Sequence, residues 1–410
     1  WLTGAETALV SDIGGTTTDV ALLRDGRPAI DPAGAQVGPY RTMVEAVAMR
    51  THGLGGDSEV HFTSQGLTAG VTLGPKRLLP VSLLAVEAGE VVHRALDAQM
   101  RRSVVGEHDG RFVRAVPGQE VEGLVPRDLA LLERIGTDVW PLGDVLRNRV
   151  EQGALTRLVA RGLVQVAGVT PSDASHVAGH LSAWDSAAAH KALALFGRKR
   201  GGSGLRFCPE PESLAKIIID QLTDQTTLAL LETAFAEESP AFDLPPETLA
   251  RHVLMQRGLS GHRGVLRIDA GLNLPVVGLG ASAATYYPAV GKRLGSEMIL
   301  PDHAHVANAI GVVGRVIMRE SGTVTVPHEG VFRVHLANGP QDFPSAERAL
   351  AEAETALIET ASARAQSAGA AQIECHVTRD IRMAEIEGRE VFVEAALTVE
   401  ASGRPRVAAG

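Results

Sequence analysis

The feature that most constrains this chain is the stretch Ser11–Val20, whose sequence is SDIGGTTTDV. Apolar residues precede and follow it, so the pattern predicts a strand, a tight turn and a second strand. Two adjacent glycines let the backbone approach an anion closely and direct its N–H groups toward it. Hairpin turns ordinarily need one or two special residues, and three threonines with two flanking acids exceed that need. We therefore predict that the turn contacts phosphate, with Asp12 placed to hold a metal ion or its water shell.

Two further glycine-rich loops have features of a binding site. The loop Gly55-Gly56-Asp57-Ser58 could end a helix, but its two glycines, acid and serine are more than a helix end requires. The segment Gly278–Ala283 follows an apolar strand and opens a helix, which places backbone N–H groups beside a ligand but also serves close packing. His52 and His61 flank the first loop, and their spacing matches no metal-binding signature. The basic pair at 76–77 either neutralises an anion or lies in a solvated turn.

Composition limits the class of protein. A chain of 410 residues with 45% hydrophobic and 21% charged residues is typical of a globular protein with roughly two or three domains. The net charge of −9 argues against nucleic acid as a partner. Cys208 and Cys375 make no disulfide framework and no metal cage, which favours a reducing, cytoplasmic setting. No apolar run is long enough to cross a bilayer, so we expect no membrane association.

The pattern along the chain predicts an α/β fold with four regions. These are a β-meander with the phosphate loop at 1–80, a mainly helical insertion at 81–260, a strand with helices at 261–320, and a small α+β module at 321–410. Apolar spacing predicts a short helix over Thr42–Thr51 and another from Asp302 to about Arg319. The sequence Thr170-Pro171-Ser172-Asp173 predicts a capping box at a helix start.

The stretch Asp12–Val20 resembles a phosphate loop of the ATPase superfamily that includes actin, the heat-shock chaperones and the sugar kinases. The wider motif set is similar to one branch, the hydantoinase/oxoprolinase family, and to its ATP-binding large subunit (hydantoinase A type, N-methylhydantoinase A-like). In chain order the motifs are DIGGTTTD at 12–19, GLGGDS at 53–58, LGPKR at 73–77, TPSDA at 170–174, PVVGLGA at 275–281 and VANAIG at 306–311. Together they cover about residues 1–320.

The resemblance implies an actin-like ATPase with two facing RNase H-like halves and nucleotide between them. It implies ATP and Mg²⁺ as cofactors, with Asp12 as catalytic acid and metal ligand and Asp57 as a second catalytic residue serving substrate or metal. The cofactor-binding residues that it implies are Gly14, Gly15, Thr16, Thr17, Thr18, Gly55, Gly56, Gly278, Gly280 and Ala281. The last three would border the nucleoside, so that region 261–320 completes the ATPase domain.

Family members usually carry an Asp-x-Gly-Gly-Thr loop in each half, and this sequence has one. Its place before the Gly-Gly-Asp-Ser loop matches the second, so we expect this chain to be the C-terminal portion of its subunit and inactive alone. The implied reaction is ATP-dependent opening of a cyclic amide, of the hydantoin or 5-oxoproline type, through phosphorylation of the amide oxygen. The implied partners are that substrate and a second subunit of the hydantoinase B type, in an oligomer.

Two alternatives use the same fold. The first is a subunit of an ATP-dependent carboxylase of the acetone or acetophenone type, which phosphorylates a ketone enolate. The second is an ATP-driven reactivating or chaperone-like protein that binds and releases a partner enzyme. An iron–sulfur activator is disfavoured because two cysteines do not supply a usual cluster shell.

Overall fold

The computed structural model describes residues 3, 5–31, 34, 36–37, 40–41, 46–238, 241–306, 316–386 and 389–405. They belong to two compact units, Trp1–His305 and Val306–Gly410. Helices and sheets occur in both units, so the predicted α/β class is confirmed at the level of a mixed fold. The division into units falls at 305/306, whereas the sequence places the start of its last region at 321. The four predicted regions remain predictions.

The first unit contains short and long strands followed by a mainly helical stretch. Its strands are β1 (Ala8–Ile13), β2 (Thr18–Arg24), β3 (Arg27–Pro28), β4 (Ile30–Asp31), β5 (Gln36–Val37), β6 (Tyr40–Arg41), β7 (Ala46–Val47), β8 (Arg50–His52), β9 (Ser58–Gln65), β10 (Thr68–Arg77), β11 (Leu79–Pro80), β12 (Phe112–Ala115), β13 (Trp140–Pro141), β14 (Val164–Gly168), β15 (Val276–Leu279) and β16 (Met298–Ile299). Its helices are α1 (Val81–Met100), α2 (Pro126–Ile135), α3 (Leu142–Val145), α4 (Glu151–Ala160), α5 (Pro171–Val177), α6 (Ser186–Gly197), α7 (Pro211–Glu237), α8 (Pro246–Arg251), α9 (Val253–Leu259) and α10 (Ala283–Leu294).

The sheet that positions the site has the strand order β16-β15-β1-β2-β3, with β8 on the same edge of β2 as β3. Strands β1 and β2 form the predicted antiparallel hairpin, in which Ile13 pairs with Thr18. On its other side β1 runs parallel to β15, and β15 runs parallel to β16. A strand from the start of the unit is therefore hydrogen-bonded to one that follows more than 250 residues later.

Alternation along β1 and β2 explains how the sheet is anchored. Leu9, Ile13, Val20 and Leu22 are buried in the main apolar core of the unit. The long helix α7 packs on β1, β2 and β10, and α10 packs on β15. Because side chains alternate across a strand, Asp12 and its neighbours of the same parity face away from that core.

The predicted capping box at α5 is confirmed. The Thr170 hydroxyl accepts a hydrogen bond from the Asp173 backbone N–H, and the Asp173 carboxylate accepts one from the Thr170 backbone N–H. The same carboxylate accepts bonds from the N–H groups of Val81 and Ser82 and from the Ser82 hydroxyl. Asp173 therefore joins the starts of α5 and α1.

The second unit contains one antiparallel sheet and one long helix within its described residues. The elements are β17 (Val316–His328), β18 (Val331–Leu336), β19 (Gly339–Phe343), α11 (Ala346–Ser367), β20 (Ala370–Ile386) and β21 (Arg389–Pro405). The strand order is β19-β18-β17-β21-β20. Alanines at 349, 353, 361 and 365 let α11 lie close to the sheet, whose core side chains include Val324, Leu397 and Val399.

Two helices expected from local apolar spacing are not present as predicted. Residues Thr42–Glu45 lie outside the described residues. In the rest of the expected helix over 42–51, Ala46–Val47 forms β7, residues 48–49 are in neither strand, and residues 50–51 belong to β8. Pairing with the open edge of β2 overrides the local preference there. In the expected helix over 302–319, Ala304–Val306 is a short 3-10 turn, 307–315 lies outside the described residues, and Val316 begins β17.

None of the helices in the described part of the chain combines the length and apolar character that a bilayer crossing requires.

Candidate functional site

The turn between β1 and β2 lies at the ends of these strands and has an exposed backbone. Gly14, Gly15 and Thr16 are exposed, and the Gly14 N–H donates to the Thr17 carbonyl at 2.8 Å. Among the described residues, the N–H groups of Gly15, Thr16 and Thr17 meet no hydrogen-bond acceptor. Successive unused N–H groups in a tight turn form a concave site suited to an anion.

The three threonines of the motif differ in their surroundings. Thr16 is exposed in the turn. The Thr17 hydroxyl donates to Asp19 at 3.3 Å. Thr18 is buried, and its hydroxyl donates to the Leu54 carbonyl at 2.7 Å. Thr18 therefore ties the hairpin to the second glycine-rich loop, a structural contact that the sequence did not indicate.

The Gly55–Ser58 loop packs directly on this turn. The Gly56 N–H donates to the Gly14 carbonyl at 3.1 Å, and the Asp57 N–H donates to the Gly15 carbonyl at 2.7 Å. A Cβ atom on Gly55 would lie 2.5 Å from the Gly14 carbonyl oxygen, closer than real contacts allow. The structure thus brings together two motifs that are about 40 residues apart in the sequence.

Asp57 is held beside the turn by a serine and an arginine. Its carboxylate accepts from the Ser172 hydroxyl at 3.1 Å and from Arg77 at 3.1 Å. A Cβ atom on Gly15 would lie 2.6 Å from the Asp57 Oδ2 atom, so the carboxylate borders the turn. Burial raises the pKa of Asp57 above its usual range, and Arg77 and Ser172 oppose that rise. Sequence analysis left Arg77 as either anion-neutralising or solvated, and it did not identify Ser172 as a partner of Asp57.

Asp12 lies at the end of β1, between β2 and β15. It is opposite Asp19 in the antiparallel pair, and directly opposed residues have Cβ atoms roughly 4.5–5.5 Å apart on one face of the sheet. Asp19 also accepts from the Thr51 hydroxyl at 2.6 Å. On the other side, a Cβ atom on Gly280 would lie 3.2 Å from Asp12 Oδ1 and 2.1 Å from the Ile13 carbonyl oxygen. Gly280 therefore leaves room beside the Asp12 carboxylate.

The end of β15 and the segment after it contain two glycines with different surroundings, Gly278 and Gly280. Gly280 adopts φ +109°, and its N–H donates to the Ala304 carbonyl at 2.9 Å, while Ala281 is exposed. Gly278 is surrounded by core side chains, because a Cβ there would lie 2.6 Å from the Tyr287 ring. The Tyr287 hydroxyl donates to Ser11, and burial raises its pKa. Packing alone accounts for the glycine at 278.

The two histidines near the second loop pair with different carboxylates. His52 Nδ1 lies 3.6 Å from Glu232, and burial lowers the pKa of His52. His61 Nε2 lies 3.6 Å from Glu59. Within the described residues no group of three or more His, Cys, Asp or Glu side chains is arranged to hold a metal ion by itself.

Replacing Arg77 with methionine is expected to raise the pKa of Asp57 further, because the nearby guanidinium favours the ionised carboxylate. A carboxyl whose folded-state pKa lies above its unfolded value costs stability as pH rises past the unfolded value. Arg77→Met should therefore match the parent below about pH 4 and be less stable at pH 7, by at most about 1 kcal/mol since Arg77 is 59% exposed. Carboxyl ¹³C titration measures the pKa of Asp57, and urea unfolding measures the stability.

Lys76→Met removes the neighbouring charge and serves as control. An equal change in the pKa of Asp57 in both variants would contradict the assignment of Arg77 as its partner.

Comparison with known proteins finds a family match for the segment that contains the 12–19 and 53–58 loops. Residues 2–81 match the model of the Hydantoinase/oxoprolinase family. This segment is therefore similar to the hydantoinase/oxoprolinase family. The predicted resemblance is confirmed for these residues, which include the 12–19, 53–58 and 73–77 motifs. The later motifs lie outside the matched range, and their hydantoinase-like character remains a prediction.

The chain is also similar to a solved structure, nucleotide-free acetone carboxylase, described under the mechanism of ATP-dependent acetone carboxylation. The identity is 14% and the TM-score 0.37, with 98% of this chain and 47% of that chain covered. This chain therefore spans about half the length of that protein. No curated protein matches the chain.

Proposed function

We propose that this chain forms one side of the ATP site of a hydantoinase/oxoprolinase-type enzyme, which opens a cyclic amide. The observation that carries the proposal is the meeting of three separate glycine-containing segments at the end of β1. The 14–17 turn, the Gly55–Ser58 loop and Gly280 all contact one another or the residues beside Asp12. A hairpin alone would need neither the close docking of the second loop nor the space that Gly280 leaves.

The arrangement of strands supports an RNase H-like, actin-like assignment for this half. An antiparallel meander of β1, β2 and β3 continues on its other side through the parallel strands β15 and β16. Among the described residues between β3 and β15, β8 joins this sheet and the others form the helical region and smaller sheets. We propose that the 12–19 loop is the second of the two phosphate loops of the nucleotide cleft, and that the first is supplied by residues other than these 410.

The residues at the end of β1 fit Mg²⁺ bound together with nucleotide. Magnesium is usually held by one or two carboxylates, with water and phosphate oxygens completing its shell. Asp12, with Asp19 opposite it, supplies such carboxylates on the sheet face away from the core. The unused N–H groups of Gly15, Thr16 and Thr17 would bind phosphate oxygens beside them. ATP would supply the phosphoryl group that turns the amide oxygen into a leaving group.

Asp57 is the residue we assign to the substrate side of the turn. Its carboxylate borders the 14–17 turn and is held there by Arg77 and Ser172, so it would contact the substrate or its metal ion at that place. A hydantoinase B type subunit and a further copy of this subunit would complete the assembly.

The test measures ADP formation by the full protein with its partner subunit. Hydantoin and 5-oxoproline should each be tried as substrate, and the ring-opened product should form in equal amount to ADP. ADP formation that requires bicarbonate and a ketone would replace this proposal with the carboxylase alternative. ADP formation stimulated only by a protein would replace it with the chaperone-like alternative.

A further inference from the structure

A second concave site lies in the first unit, apart from the loops around Asp12. It is a cleft of about 530 Å³ lined by the start of β9, the segment after α1, and the loop after α6. Its charged lining residues, which define the basic cleft, are Arg111, Arg198, Lys199, Arg200, Arg206 and Glu107. No residue of the 12–19 or 55–58 motifs is among the described lining residues.

The basic cleft is positively charged, although the chain as a whole carries a net negative charge. Cations outnumber anions five to one among its described lining residues, whereas the whole chain carries a net charge of −9. Glu59, next to the cleft, forms an ion pair with Arg111 and lies 3.6 Å from His61. This carboxylate therefore neutralises only part of the positive charge.

Several of the cations are held in place by backbone carbonyl groups. Arg198 donates to the carbonyls of Met100 and Arg102, and Arg200 donates to that of Gly204. Carbonyl bonds orient a guanidinium without neutralising it, so its charge still acts on the cleft. The side chain of Arg206 is exposed and has no ion-pair partner in the described ranges.

Lys199 is the most informative residue of the basic cleft. Its ammonium lies 4.1 Å from the centroid of the Phe196 ring and has no carboxylate partner within the part of the chain described. Burial, and then the charge of Arg111, lower the pKa of Lys199 to about 8. A partly buried ammonium next to guanidinium groups costs free energy, which a bound anion would offset.

We propose that the basic cleft binds a small organic anion through a phosphate or carboxylate group, with Lys199 and Arg206 as its principal contacts. A volume of about 530 Å³ suits a metabolite-sized ligand rather than a polymer. The site is separate from the proposed ATP loops and does not depend on them.

Calorimetric titration of the protein with inorganic phosphate and, separately, with succinate tests the proposal and distinguishes the two chemistries. At least one should bind saturably. Lys199→Met and Arg206→Gln should each weaken that binding about tenfold or more, because a charge-assisted hydrogen bond is lost. Arg257→Gln, at an exposed arginine in α9 that does not line the cleft, should leave it unchanged.

Either of two results would overturn the proposal that the basic cleft binds an anion. No saturable binding of either anion, or equal affinities in the parent, Lys199→Met and Arg206→Gln, would overturn the proposal. Thermal unfolding shows whether each variant is folded, and Arg206 is exposed, so its variant should fold in any case. The side chain of Gly15→Val would clash with the Asp57 carboxylate and should disrupt the proposed ATP site. This variant should retain binding in the basic cleft, so loss of the ATP site and loss of this site are separable.

The pH dependence of sulfate binding gives a second measurement, because the charge of sulfate does not change near neutral pH. Lys199 faces Arg111 and Glu59, and His61, Glu107, Asp109 and the other arginines complete its charged surroundings. Since the free ammonium titrates at about 8, affinity should fall about tenfold from pH 7 to pH 9. Lys199→Arg keeps its charge over this range and should abolish the fall; an unchanged fall would exclude Lys199 as the contact.

Discussion

Asp12→Asn is expected to lower ATP-dependent turnover of the full protein by about a hundredfold or more while leaving the fold intact. The amide has nearly the shape of the carboxylate but lacks the negative charge that a hard divalent cation requires. Asp12 faces away from the apolar core and lies beside the space left by Gly280, so the effect should fall on catalysis rather than on packing. Steady-state ADP formation and circular dichroism measure the two properties.

A matched control is available in the next turn of the same sheet, between β2 and β3. Asp25 occupies the exposed turn after β2 with φ +50°, a conformation that asparagine adopts readily. Asp25→Asn therefore removes one carboxylate from the same sheet without touching the site. Turnover of Asp12→Asn equal to that of Asp25→Asn would remove Asp12 from the metal role.

Gly280→Ala is expected to destabilise the first unit by about 3 kcal/mol or more. The new Cβ would lie 2.1 Å from the Ile13 carbonyl oxygen, a backbone atom that can move only by distorting β1. Its φ of +109° adds strain that glycine avoids. The displacement would reach Asp12, so ATP binding should be lost even where the variant remains folded.

Gly26→Ala separates backbone strain from steric clash as causes of the lost stability in Gly280→Ala. Gly26 has φ +70° and nothing within 4 Å of a Cβ, so its substitution adds strain without a clash. It should cost only about 1 kcal/mol in urea unfolding. Equal losses in the two variants would show that the close approach to Ile13 contributes nothing.

The local part of the site could be predicted from sequence, because its signals lie within a few residues of one another. The hairpin at 12–19 and the capping box at 170–173 depend on adjacent residues, and both form as expected. The hydrogen bond from Gly56 to Gly14 joins two loops that are distant in the sequence, and no local pattern predicts such a contact. Apolar spacing predicted a helix over 42–51, whereas Arg50 and Thr51 pair with β2 as part of β8. Local spacing contains no information about the open edge of β2.

Other contacts could not be predicted because their partners are far apart in the chain. Ser172 is 115 residues from Asp57, and Arg111 enters the basic cleft from a different part of the chain than Lys199. The motif around Gly278 suggests ligand binding, and the structure adds a packing requirement at that position, because a Cβ there would meet Tyr287 and Leu300. Such assignments require the packed core, in which space is decided by side chains from many elements.

The pairing of β1 with β15 has a consequence for synthesis on the ribosome. Leu9 has no parallel neighbour until Val276 has emerged, which at ordinary translation speeds takes roughly 15–50 s. During that interval the hairpin with the 14–17 turn must persist with one flank uncovered, and such uncovered strand edges are prone to wrong pairing. The hairpin is thus completed only after a much later strand has been made, so factors that shield nascent chains would have time to act on its uncovered edge.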